Sequence, residues 1–92
     1  MSDSGNLPPD VLERLEQAEQ LKLSGKHSEA LAILEFLVLE DPSNVAALEE
    51  IADNELSLEH YERAEVAANQ AIALDAASYT GHYILGFIRS HF

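Results

Sequence analysis

The sequence predicts an all-α fold of paired helices, and three observations predict it. Apolar residues recur at helical spacing in five separate stretches, and nothing alternates with period two for long. Short polar breaks separate the stretches, which favours antiparallel neighbours. The pattern also repeats with a spacing of 34 residues: Ala18, Ala52 and Gly86 are in phase, as are Ala30 with Ala64 and Asp41 with Asp75. Repeats of that length are stacked helical hairpins, and such stacks build binding surfaces.

Each element follows from local signals. Residues 1–10 read as a flexible acidic leader. Asp10 with Glu13 has the spacing of a capping box, so a first helix is expected over 11–24, carrying Leu12, Leu15, Ala18, Leu21 and Leu23. Gly25 ends it by accepting a left-handed backbone. A second helix is expected from His27 or Ser28 to Glu40, with a broad apolar face of Ala30, Leu31, Ile33, Leu34, Leu37 and Val38. The run Asp41-Pro42-Ser43-Asn44 breaks it. A third helix over 45–57 carries Leu48, Ile51, Ala52 and Leu56. After the turn Leu58-Glu59-His60, a fourth runs over 61–75 with Ala64, Ala67, Ala68, Ala71, Ile72 and Leu74. Ala76-Ala77-Ser78 leads to a fifth, from Tyr79 to the end.

Composition narrows the function. Ninety-two residues make one small domain. Without Cys, neither a disulfide nor a thiolate metal site can form. No stretch approaches the roughly 20 apolar residues that span a bilayer, and no secretory signal precedes the first helix, so a soluble cytoplasmic protein is expected. Seventeen acidic residues against five Lys and Arg give a net charge of −12. That charge repels nucleic acid and anionic membranes and attracts basic partners. His27, His60, His82 and His91 show no metal-ligand spacing, and no nucleophile stands beside a base, so no enzyme activity, metal or cofactor is expected.

The 34-residue pattern resembles the tetratricopeptide repeat (TPR) family. Ala18, Ala30, Ala52, Ala64 and Gly86 match the small residues at that family's close helix crossings. Tyr61 matches its aromatic slot, with His27 as the counterpart in the first unit, and Pro42 matches its terminating proline. The resemblance covers two full units, 11–44 and 45–78, and the first helix of a third, 79–92. Glu59 departs from the turn glycine seen at Gly25, and a left-handed backbone there would strain it. Glu55 and Arg89 stand where the first unit has Leu21.

The resemblance implies an α-solenoid whose first helices line a concave groove. Helical spacing then assigns Leu15, Glu16, Glu19, Glu49, Glu50, Asp53, Tyr83 and Phe87 to a partner-binding surface, together with Thr80 and Ile84. A run of acids flanked by apolar patches suits a protein or peptide partner, basic or amphipathic. Reversing Glu49 and Asp53 to Lys should weaken such binding at little cost in stability. The groove offers no cation to a free carboxylate, which disfavours an adaptor for chaperone C-termini. The alternatives are a self-association module or a piece of a larger scaffold. The last helix is apolar nearly all round, and Leu85, Ile88 and Phe92 are expected to form an uncovered patch that pairs two chains as a homodimer.

Overall fold

The computed structural model describes residues 8–92. Its regular elements among those residues are all helical: α1 (Pro9–Leu23), α2 (His27–Glu40), α3 (Val45–Ser57), α4 (Tyr61–Leu74) and α5 (Tyr79–His91). Successive helices pack on one another, and α3 also packs on α5. The pairs run antiparallel. Arg14 early in α1 reaches Glu40 at the end of α2 at 3.4 Å, and Tyr61 at the start of α4 meets Phe92 beyond the end of α5. The result is an elongated body of 45 × 29 × 19 Å.

Chain reversals explain where the helices stop. α1 ends with Gly25 at φ 79°, where Lys26 N–H donates to the Leu21 carbonyl and Gly25 N–H to that of Lys22. This is the Schellman arrangement, and glycine adopts its left-handed residue without a side-chain clash. α3 ends in the same way with Glu59 at φ 62°, bonded His60 to Glu55 and Glu59 to Leu56. The other two reversals use extended residues, Asp41 (φ −143°, ψ 93°) and Asp75 (φ −143°, ψ 98°). Each then leads to a polar N-cap. The Asn44 side chain accepts from Ala47 N–H and the Ser78 hydroxyl from Gly81 N–H, both at 3.0 Å.

The start of α1 differs from the sequence expectation. Its N-cap is Pro8, and no side chain caps the helix. Asp10 lies inside the first turn, so no capping box forms with Glu13, and residues 9–10 belong to the helix rather than to a leader. Pro9 explains the shift, because its fixed φ and missing N–H suit the first helical position. The remainder of the leader, 1–7, lies outside the described residues.

The core forms in two parts. Ala18, Ala30, Leu34, Leu37 and Ala47 make one, and Ala52, Ala64, Ala67, Ala68, Ile84 and Leu85 the other, with Ile51 packed against both. The expected alanine crossings are real: Ala18, Ala30, Ala52 and Ala64 are almost completely buried. Small side chains there allow close helix approach. Gly86 breaks the series. It is exposed, and a Cβ added there would touch nothing within 4 Å. The close approach on α5 occurs at Gly81, where a Cβ would meet Ile72 Cγ1 at 2.8 Å, Ser78 Oγ at 2.9 Å and the Ala68 carbonyl oxygen at 3.1 Å.

Candidate interaction surface

The acids expected in one groove are held in three ways. Lys22, near the end of α1, reaches across to α3 and places its ammonium 2.9 Å from Glu50 and 3.0 Å from Asp53, with Glu19 at 3.5 Å. Partial burial disfavours that ammonium. The hydrogen bonds and charges of Glu50 and Asp53 together outweigh burial, and the Lys22 pKa is raised above its ordinary 10.5. Glu49 turns to the next helix and accepts a 2.6 Å hydrogen bond from the Ser78 hydroxyl, the N-cap of α5. A carboxylate at that helix start is favoured by the positive end of the helix dipole. Glu16 is exposed and makes no hydrogen bond or ion pair among the described residues.

These contacts correct one expectation. Glu49 and Asp53 bind neighbouring elements, so reversing both to Lys removes the Ser78 contact and sets a cation against Lys22. That double change should therefore cost stability as well as any binding.

The apolar residues divide differently. Leu15 is half-buried and packs on the first core cluster, while Tyr83 and Phe87 are exposed, at 55% and 38%. Tyr79, 82% exposed, stacks on Tyr83 with ring centroids 6.5 Å apart, and Phe87 stacks on His91 at 5.3 Å. Ile84, expected in the groove, is fully buried in the second core cluster. Leu85 is buried there too, and Ile88 is half-buried against it. The expected uncovered patch of Leu85, Ile88 and Phe92 therefore does not form. Phe92 remains exposed, with one edge on Tyr61 at 4.7 Å. The reason is geometric: α3 and α4 both pack on α5, so two neighbours rather than one cover that arc.

Asn54 and Lys22 went unnoticed in the sequence, and Glu55 stood out only as a departure from Leu21. Asn54 is fully buried; its Oδ1 accepts from His27 Nδ1–H at 2.9 Å, and its Nδ2 donates to the Glu50 carbonyl at 2.8 Å. Glu55, 3% exposed, lies 2.7 Å from His60 Nδ1. An acidic residue in a slot that is apolar in the first period signals such a partner. Lys22 gave only its local spacing to Glu19; its pairing with α3 depends on the tertiary fold.

The hollows along the surface, such as that lined by Glu59, His60, Tyr61, Glu62 and Arg63, are open to solvent. Among the described residues no group of three or more His, Asp or Glu is placed to hold a metal ion, and no helix is long and apolar enough to cross a membrane. No protein-family model and no curated protein matches this chain.

Proposed function

We propose that this chain is a non-enzymatic protein-interaction module, a helical-hairpin repeat of TPR type that binds a basic segment of a partner along α1 and α3. Support for the repeat comes from the backbone. Conformations recur 34 residues apart at Gly25 and Glu59, at Asp41 and Asp75, and at the caps Asn44 and Ser78. The observation that carries the binding reading is the gathering of Glu19, Glu50 and Asp53 around one ammonium, Lys22. That seam holds one lysine ammonium and keeps a surplus of negative charge, with exposed Glu16 on α1 and exposed Tyr83 and Phe87 on α5. A partner with Lys or Arg between apolar anchors fits that combination.

The test is fluorescence anisotropy with a labelled peptide alternating Lys and Leu, against the same peptide with Glu for Lys. The basic peptide should bind, and its binding should weaken as salt rises. Glu16→Lys should weaken it several-fold, because this change removes charge without breaking an internal contact. Equal affinity for the two peptides would overturn the reading.

A second reading is self-association through α5, now resting on exposed Tyr79, Tyr83 and Phe87 in place of Leu85 and Ile88. Light scattering coupled to gel filtration tests it: a monomer at high micromolar concentration removes it.

A further inference from the structure

α1 and α3 each bury one face under the helix that follows. Ala18 packs with Ala30 and Leu34 of α2, and Ala52 with Ala64, Ala67 and Ala68 of α4. On α3 that face consists of Leu48, Ala52 and Glu55, all buried. The residues 34 further on are His82, Gly86 and Arg89, and all three are exposed on α5. His82 Nε2 is 2.9 Å from the Ala76 carbonyl, and Arg89 pairs with no carboxylate among the described residues. α5 also contains no Asp or Glu, in a chain with seventeen of them.

We infer that the His82–Gly86–Arg89 face of α5 is a docking site for an α-helix of a partner protein that carries an acidic residue at its N-cap and a small residue four positions later. The register defines that chemistry. On α3, Glu55 meets His60, the N-cap of α4, at 2.7 Å, and Ala64, four residues beyond His60, shares the cluster of Ala52. On α5, Arg89 replaces Glu55 and Gly86 replaces Ala52. The complementary helix therefore exchanges the imidazole for a carboxylate and keeps the small residue at the crossing. A carboxylate N-cap is also favoured by the helix itself.

A second copy of this chain does not fit. Its two helices with alanine four residues after the cap are α2 and α4, capped by Lys26 and His60. Both already bury that alanine against their own chain, Ala30 and Ala64 having no exposed surface, and Lys26 would in addition face Arg89 as a like charge. The caps of α1, α3 and α5 are followed four residues later by Leu12, Leu48 and His82, none of them small.

The probes are two end-blocked synthetic peptides covering residues 60–75, one with the natural His60 and one with H60D, titrated against the full chain by fluorescence anisotropy. The parent chain should bind the H60D peptide about three- to fivefold tighter, the scale of one exposed ion pair. Arg89→Glu should reverse the order. Because H60D also improves capping in the free peptide, the four affinities are read as a cycle that isolates the contact with Arg89. Gly86→Leu should weaken the H60D peptide at least about tenfold by blocking the crossing, and it should leave the fold intact because Gly86 is exposed and an added Cβ there meets nothing within 4 Å. Circular dichroism verifies that. The inference is overturned by a cycle with no coupling, by binding indifferent to Gly86→Leu, or by no binding of either peptide at about 1 mM. It is equally overturned if the chain dimerises through Gly86 and the H60D peptide does not dissociate the dimer. None of these outcomes bears on basic-peptide binding at α1 and α3, so the two proposals fail separately.

Discussion

Three single residues separate backbone requirements from packing requirements. Glu59 holds φ at 62° because the turn closing α3 needs a left-handed residue, as Gly25 provides after α1. Glu59→Gly should therefore stabilise by about 1 kcal/mol, the scale of a relieved left-handed conformation, seen as a higher melting temperature. Gly81 and Gly86 lie on the same helix and predict opposite signs for one substitution. At Gly81 a methyl group would press on Ile72, Ser78 and the Ala68 backbone. Gly81→Ala should cost about 1–3 kcal/mol by overpacking, despite alanine's better helix propensity. At Gly86 there is open space, so Gly86→Ala should gain about 0.5–1 kcal/mol from propensity alone. Denaturant melts of the pair check this, and equal signs would contradict the placement of α5. Asp41 gives a pH signature. The hydroxyl and backbone N–H of Ser43 donate to its carboxylate at 2.7 and 3.0 Å and lower its pKa from the ordinary 3.8. A carboxyl depressed by folding stabilises above its unfolded value and stops doing so as pH falls through its folded value. Asp41→Ala should thus be less stable than the parent at neutral pH and converge with it in strong acid.

At the level of elements, the helices were legible because their signals are local. Gly25, Pro42 and the apolar spacing placed the ends of α1 to α4 to within one or two residues. The alanine crossings at Ala18–Ala30 and Ala52–Ala64 were readable from spacing, since residues 34 apart with the same small size share one environment. Ala30→Leu or Ala64→Leu should cost about 1–3 kcal/mol in thermal melts, and both sites have no exposed surface into which the larger side chain could escape. The start of α1 was misread because Asp10 offered a capping pattern two positions too late; Pro9 had already fixed the start. The face of α5 was misread because periodicity alone does not say how many neighbours cover an apolar helix. Leu85 looked free in the sequence and is buried, since α3 and α4 both reach it. Gly86 looked buried by analogy with Ala52 and is bare.

Across the whole molecule, charge is the dominant asymmetry. Seventeen carboxylates face five Lys and Arg, so the folded chain repels itself at low ionic strength. The acidic candidate surface was visible as a cluster of Glu and Asp, yet its organisation was not, because Lys22 joins residues 28 and 31 positions away. That lysine is a counter-charge for a seam between α1 and α3 that would otherwise hold Glu19, Glu50 and Asp53 together. Its raised pKa has the sign of a stabilising contact: the contribution is complete below 10.5 and is lost only as pH rises through the higher folded value. Lys22→Met keeps most of the aliphatic stem and removes the ammonium. It should cost about 1–2 kcal/mol at low salt, the range for a hydrogen-bonded but partly exposed charge. Added salt screens the carboxylates left behind, so the deficit should shrink as ionic strength rises to where the Debye length is about 3 Å. Glu16→Lys is the opposite case, since Glu16 supports no internal contact, and adding positive charge to an acidic surface should leave stability unchanged or raise it by a few tenths of a kcal/mol. Urea melts of both variants across a salt series separate the two roles: a Lys22→Met deficit independent of salt would mean that lost packing, rather than an unbalanced acidic seam, is what the lysine prevents.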